Sequence, residues 1–311
     1  MNDKATYIIV SPGRNEADYM RQTLDTVVAQ TLKPEKWIIV DDGSTDDSPS
    51  ILKEYADQHD WIEIVSRDNR GHRSVGPGVI EAFYAGLDTV DYKQYTYLCK
   101  LDLDLNLPAG YFEELIRRCE ENPRIGTCSG KAYMELEGGE LKSEKISDEM
   151  SVGASKFVRV SCFEEMGGFV RQVMWDGIDC HTARMKGWLA VSWDDPKLNF
   201  IHLRPMGSSD KNIIKGRIRH GFGQHFMGGS LLYSFAAAIY RLPHRPIMIG
   251  GMASFWGHLS NLLKGSPQYD NKEFRKYLAK YQRRVLFMGK QKATQITEDE
   301  RLEIWNQKHS V

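Results

Sequence analysis

Short apolar runs alternate with helically spaced apolar positions through the first hundred residues. Tyr7 to Val10 is apolar and is closed by Ser11-Pro12-Gly13, which predicts a buried strand ending in a loop. Asn15 to Thr31 places Met20, Leu24, Val27 and Val28 at helical intervals. Trp37 to Val40 reads as a second strand. It breaks at Asp41-Asp42-Gly43-Ser44, after which Asp47 or Ser48 can cap a helix through Ile51, Leu52 and Tyr55. Trp61 to Val65 predicts a third strand, Val79 to Leu87 a helix, and Tyr95 to Leu101 a fourth strand. This alternation implies βαβ units and an α/β fold with a mixed, mostly parallel sheet flanked by helices. Ligands of such sheets bind beyond the carboxyl ends of the strands. Here those ends carry Pro12-Gly13-Arg14-Asn15-Glu16, Asp41-Asp42-Gly43-Ser44 and Asp102/Asp104.

In Lys100–Pro108, Leu101, Leu103 and Leu105 alternate with Asp102 and Asp104. Continued as a strand, the leucines would point into a core and both carboxylates outward together. Paired carboxylates repel unless solvent screens them or a cation lies between them. Mg²⁺ commonly takes one or two carboxylates together with substrate phosphates. Taken alone, the stretch is equally an amphipathic strand with a solvated face. No Gly-x-Gly-x-x-Gly follows the first strand and no Gly-x-x-x-x-Gly-Lys-Ser/Thr loop occurs, so two common phosphate cradles are absent. A carboxylate-held divalent cation is the natural substitute.

Composition narrows the class without naming a chemistry. The chain of 311 residues, 41% hydrophobic and 27% charged, suits a soluble protein with a substantial core. Its formal charge of -1 hides an asymmetry: residues 205–311 hold 17 Lys and Arg against 7 Asp and Glu, a balance of +10 against -11 for residues 1–204. That basic third suggests an anionic partner, a membrane surface or a pyrophosphate, and no nucleic acid is expected. Five cysteines without a Cys-x-x-Cys pair argue against a disulfide framework or zinc site and fit a reducing compartment. The first apolar run is too short for a signal peptide, and no stretch reaches the length of a membrane span.

The runs Ile9-Val10-Ser11-Pro12-Gly13-Arg14-Asn15-Glu16, Ile38-Ile39-Val40-Asp41-Asp42-Gly43-Ser44-Thr45-Asp46 and Leu101-Asp102-Leu103-Asp104 resemble the family 2 glycosyltransferases of GT-A fold. The resemblance covers roughly residues 5–200. It implies a nucleotide-diphosphate sugar donor (a UDP-sugar favoured), a Mn²⁺ or Mg²⁺ ion and an inverting displacement. By that resemblance Pro12 and Arg14 would line the base, Glu16 would support their loop, and Asp42, with Asp41 beside it, would accept a hydrogen bond from the base. Asp102 would lie near the ribose and Asp104 would ligate the metal. Arg14 departs from the aromatic residue often found there, and it suits base stacking or phosphate. In Asn69-Arg70-Gly71-His72-Arg73-Ser74-Val75-Gly76-Pro77-Gly78, backbone N–H groups and arginines, Arg73 among them, could approach donor phosphates.

Downstream, Tyr111 to Arg118 predicts a helix, Ile125 to Tyr133 a strand and Glu135 to Asp148 a hairpin or exposed loop. Gly167-Gly168-Phe169, Trp175-Asp176-Gly177-Ile178-Asp179 and Gly187 resemble the element of the same family that supplies the catalytic base. Asp176 takes that position, with Asp179 as runner-up. An inverting transfer needs such a carboxylate on the face opposite the departing diphosphate, hence on an element apart from Asp102 and Asp104. His202 ends a short strand and is the candidate to complete a metal shell.

Leu231 to Tyr240 and Ile247 to Leu263 are apolar blocks flanked by Arg and Lys with aromatic anchors, followed by a charged helix from Lys272 to Phe287 and a polar, loosely held end from Gln291 to Val311. The expected organisation is a catalytic domain over 1–204 and a basic, partly apolar helical extension over 205–311. The extension either lies on the cytoplasmic face of the membrane or forms a lid. It also resembles tails of enzymes that build bacterial exopolysaccharide or O-antigen on polyprenyl-diphosphate-linked or other glycan acceptors. Two rivals are a sugar-nucleotide nucleotidyltransferase, which would want a basic Gly-rich loop directly after the first strand, and a non-catalytic membrane-associated module, against which the full set of acids speaks.

Overall fold

The structure is a computed structural model that describes residues 5–71, 76–204, 213–242 and 249–309. It divides into two compact units, each discontinuous in sequence: Met1–Arg171 with Trp188–Pro205, and Gln172–Gly187 with Met206–Val311.

The first unit holds β1 (Tyr7–Gly13), α1 (Ala17–Val28), β2 (Lys36–Asp41), α2 (Ser48–Gln58), β3 (Ile62–Ser66), α3 (Pro77–Leu87), β4 (Tyr97–Leu101), β5 (Leu105–Asn106), α4 (Tyr111–Glu121), β6 (Ile125–Gly130), β7 (Ala132–Glu135), β8 (Leu141–Ser143), β9 (Ser155–Arg159) and α5 (Val160–Met166). The chain leaves for α6 (Trp175–Met185) and returns with β10 (Leu189–Trp193) and β11 (Phe200–His202). Seven strands form the main sheet in the order β10-β6-β9-β4-β1-β2-β3, and β9 runs antiparallel to both its neighbours. The mostly parallel sheet expected from the alternating pattern is thus present. Ile8, Ile9 and Val10 of β1 and Ile38, Ile39 and Val40 of β2 are fully buried, as continuous apolar strands in the middle of a parallel sheet should be. A smaller sheet, β5-β11-β7-β8, brings His202 of β11 opposite Leu105 of β5.

Two local expectations change. The run from Ile125 to Tyr133 is two strands: the chain breaks after Gly130, leaving β6 in the large sheet and β7 in the small one. The second change is at the paired acids. β4 ends at Leu101, and Asp102-Leu103-Asp104 forms a bend before β5. All three leucines are buried as expected, but the bend breaks the two-residue alternation. The carboxylates therefore do not face outward together. The Asp102 side chain keeps 32% exposure and that of Asp104 only 3%.

The second unit consists of α6 with α7 (Ile213–Phe226), α8 (Leu231–Tyr240), α9 (Ile249–Leu263), α10 (Lys272–Met288) and α11 (Lys290–His309). Lys290–His309 is a twenty-residue helix where a loosely held tail was expected. Ala293, Thr294 and Thr297 are buried on it, Tyr281 and Thr294 share a hydrogen bond of 2.8 Å, and Arg284 pairs with Glu300. α6 is buried along most of its length: the His181 ring meets Tyr281 at 5.0 Å, and fully buried Arg184 donates to Glu298 at 3.0 Å. Among the described residues no helix is long and apolar enough to cross a membrane.

Candidate active site

The loops after β1 and β2 are stitched together before any ligand is considered. Asn15 takes a left-handed backbone (φ 54°), in which its N–H donates to Ser44 Oγ at 2.9 Å and its Oδ1 accepts from the Thr45 N–H at 2.8 Å. The Glu16 N–H donates to Ser48 Oγ at 2.9 Å, and the Asp42 N–H donates to the Gly13 carbonyl at 2.8 Å. Asp41 Oδ1 accepts from the Ser44 N–H, closing the turn after β2. Gly43 sits there at φ +72°, and a Cβ on it would come within 2.5 Å of Asn69 Cα. Glycine thus lets the segment after β3 lie across the end of β2.

Asp42 is the centre of that end. Arg67 Nη1 donates to its Oδ1 at 2.7 Å, and Arg70 Nη2 donates to its Oδ2. Arg14 donates to the Asp42 carbonyl at 2.7 Å and to Asn69 Oδ1 at 2.6 Å. Pro12 is the penultimate residue of β1, beside this cluster in sequence and opposite Val40 in register. Arg67 was not singled out by the sequence, because an arginine directly after a strand carries no motif. Arg73 lies outside the described residues.

A second cluster surrounds Asp104. Arg204 donates from Nε to Asp104 Oδ2 at 2.5 Å and from Nη2 to Glu16 Oε1 at 2.8 Å, tying the β1 loop to the Asp-x-Asp bend. His202 Nε2 stands 3.5 Å from Asp104 Oδ2, and its Nδ1 is 3.2 Å from Glu144 Oε2. Burial opposes charge on His202, yet the two carboxylates outweigh it and raise its pKa to about 10. His202 and Arg204 likewise hold Asp104 below the usual carboxylate range in spite of its burial. Asp102 is engaged separately, by the buried Lys100 ammonium, which also donates to the Gly153 carbonyl at 3.0 Å. Arg204, Glu144 and Lys100 complete this arrangement. Arg204 was not singled out by the sequence: it lies two residues past His202, in the bend after β11, and carries no motif.

Do these residues fit a divalent cation? Among the described residues no three His, Cys, Asp or Glu side chains converge as a ready cage. Buried Asp104 Oδ1, however, has no hydrogen-bond partner among the described residues, so one hard oxygen is left over. His202 sits beside it with a carboxylate on its other nitrogen, the arrangement that orients metal-binding imidazoles. One carboxylate and one imidazole suit an ion that takes its remaining ligands from a diphosphate and water. The site fits.

Asp176 and Asp179 belong to the second unit, on α6. Asp176 is in the first turn and partly exposed. Asp179, one turn on, is buried at 2% exposure, and its Oδ1 accepts from the Cys180 N–H at 2.5 Å. Met174, just before the helix, holds a left-handed backbone (φ 67°), and a Cβ on Gly223 would fall 2.0 Å from its Cγ. Strained non-glycine backbone of this kind persists only where packing over-determines it.

The sequence profile of the family described as Glycosyl transferase family 2 matches residues 8–183, more than half of the chain. A glycosyltransferase of Streptococcus pneumoniae, GlyA, is 28% identical over 160 residues, which are 49% of this chain and 21% of that protein. The poly-beta-1,6-N-acetyl-D-glucosamine synthase of Staphylococcus aureus is 26% identical over 119 residues, 37% of this chain and 26% of that protein. The chain therefore spans about a quarter of the length of either relative. Among solved structures, the mannosyltransferase PcManGT of Pyrobaculum calidifontis, in complex with GDP-Man and Mn²⁺, superposes with a TM-score of 0.52 at 18% identity, over 100% of this chain and 89% of that one. That likeness is one of fold, the GT-A fold.

Proposed function

The chain belongs to glycosyl transferase family 2, and from that premise we propose that it transfers a sugar, with inversion, from a nucleotide-diphosphate donor to a hydroxyl of a glycan or polyprenyl-diphosphate-linked acceptor. One observation carries most of the weight. Arg204 joins Glu16 to Asp104, so the loop that would hold the base and the bend that would hold the diphosphate form one continuous polar site.

Asp42 would read the base, with Asp41 and Arg14 fixing its loop. Arg67 holds one carboxylate oxygen of Asp42 and Arg70 the other, an arrangement that would present a donor, an acceptor and a donor in turn to a base. Uracil offers the complement: acceptor O4, donor N3–H, acceptor O2. Guanine sets two donors side by side and would press its amino group against a guanidinium. A UDP-sugar is therefore the favoured donor. Asp102, held by Lys100, would face the ribose. Asp104 and His202 would hold a Mn²⁺ or Mg²⁺ ion, with Glu144 orienting the imidazole. When bound, such an ion supplies positive charge against the departing diphosphate.

Asp176 would act as the base. Its exposure, set against the burial of Asp179, supports that choice. The acceptor hydroxyl gives its proton to the Asp176 carboxylate as its oxygen bonds to the anomeric carbon. The bond from that carbon to the diphosphate oxygen breaks, and the nucleoside diphosphate leaves with the electron pair. We place this chemistry in cell-surface polysaccharide synthesis, on the cytoplasmic face of the membrane, where a polyprenyl-linked acceptor would be met.

A thermal-shift series with UDP, GDP and their sugars, with and without Mn²⁺, tests the reading. UDP should stabilise the chain more than GDP, and Mn²⁺ should enhance the effect. No response to any nucleoside diphosphate would refute the donor site. Asp176→Asn should lower turnover by roughly 10²–10⁴-fold while leaving donor binding intact. Near-normal turnover would remove Asp176 from its role.

A further inference from the structure

The second unit carries an apolar surface that the proposed chemistry does not use. On α8, Leu232, Phe235 and Ile239 recur at i, i+3, i+7, and on α9 Ile249, Met252 and Trp256 do the same; all six are 50–65% exposed. The helices lie side by side: a Cβ on Gly251 would fall 2.5 Å from the Ala238 carbonyl oxygen, and the Phe235 and Phe255 rings are 5.5 Å apart. Later residues of α9 thus meet earlier residues of α8, and the pair is antiparallel. At 100° per residue, the α8 stripe lies roughly 60–120° round from Ala238 and the α9 stripe roughly 100–160° round from Gly251. In an antiparallel pair those rotations turn toward the same side, so the two stripes make one apolar face.

The stretch of chain that carries that face is one-sided in charge. Residues 211–269 contain seven Lys and Arg and no Asp or Glu. Such a run in a chain of net charge -1 marks a local partner of negative charge. The helices themselves, ten and fifteen residues long, are too short to span a bilayer. Small residues draw α9 close to α7: a Cβ on Gly221 would come within 1.9 Å of the Ser254 carbonyl oxygen, and one on Gly257 within 2.2 Å of that of Ile218. Close backbone packing keeps the large apolar side chains off this seam and leaves them on the outer side.

We infer that the α8–α9 face is a docking surface for an anionic phospholipid bilayer, its six apolar side chains entering the interface while lysines and arginines of the same stretch of chain meet the headgroups. An apolar face in a stretch of chain that has bases and no acids is what an in-plane, interfacial element requires. The inference gives the lipid-linked acceptor of the proposed function a physical location, and it rests on that reading for nothing else.

Sedimentation of the whole chain with phosphatidylcholine vesicles, with and without phosphatidylglycerol, tests it. The chain should partition onto the phosphatidylglycerol vesicles at least about tenfold more strongly than onto phosphatidylcholine alone, and high salt should release it. The double variant Phe235→Asp/Trp256→Asp should lose about tenfold or more of that binding. UDP binding by thermal shift on the same samples reports folding of the variant and the state of the donor site independently. Wild-type chain left in the supernatant, equal binding to both vesicles, or a folded variant that binds undiminished would each overturn the inference. So would a dimer broken by the same substitutions without vesicle binding, since a second copy would then be what covers the face. The wild-type comparison stands even if the variant fails to fold.

Discussion

Arg204 bridges two buried carboxylates, Glu16 at 5% and Asp104 at 3% side-chain exposure. Removing one partner of a buried charge pair costs more than the pair contributes, because the remaining charge is stranded. Arg204→Ala should therefore lower stability by about 3–5 kcal/mol. If a cation binds at Asp104, Mn²⁺ should restore more of the melting temperature in that variant than it adds to the wild type, which differential scanning fluorimetry would read. At Asp42, Arg67→Met or Arg70→Met should each reduce the preference for UDP over GDP by about tenfold or more, measured by calorimetric titration, since hydrogen bonds to charged groups contribute about 1.5–3 kcal/mol. The acids themselves were legible in the sequence because a strand end followed by Asp-Asp-Gly-Ser or Asp-x-Asp is a pattern. Their arginine partners were not. Arg67 and Arg204 reach Asp42 and Asp104 across 25 and 100 residues of chain, and no local rule marks such pairs.

At the level of elements, the bend after β4 decides how the two aspartates differ. A continued strand would have given both carboxylates one environment. Ending β4 at Leu101 instead hands Asp102 to Lys100 and lowers Asp104 into the cluster built by β11. The strands and helices of the first unit were legible because their apolar periods are clean. The bend was not, since Leu101, Leu103 and Leu105 keep the alternation of a strand and are all buried anyway. The turn after β2 is equally particular. Gly43→Ala would add a Cβ against the Asn69 backbone at a positive φ, so we expect a loss of at least about 1–3 kcal/mol in urea unfolding, with weaker UDP binding as the segment bearing Arg67 and Arg70 is displaced.

Over the whole molecule, acid should act in two steps. Burial holds His220 and His258 down at about 4, with Arg241 and Arg217 adding to the effect on His220 and His225 on His258. An unfolded histidine takes up its proton near pH 6.5, whereas these fold as neutral rings. Stability should thus fall as pH drops from about 6.5 to 4, and be lost no further from this source below that. Glu114, paired with Arg117, and Glu300, paired with Arg284, are pulled down to about 2. Their contribution is present above the ordinary value near 4.5 and disappears as pH falls through 2. Melting temperature against pH should show both limbs, and His258→Asn should flatten the first while sparing the second.

The chain's excursion into the second unit at residues 172–187 also has a consequence for synthesis on the ribosome. α6 emerges with its buried face uncovered, and the helices that cover it, α10 and α11, follow roughly ninety residues later. At 5–20 residues per second, that leaves His181 and Arg184 without their partners on α10 and α11 for about 5–20 s, while β10 and β11 are completing the sheet of the other unit. The nascent protein must therefore hold an unfinished helix in waiting. A chain stopped at residue 205 should be recovered mainly as aggregate, which a soluble-fraction assay of the truncated protein would reveal.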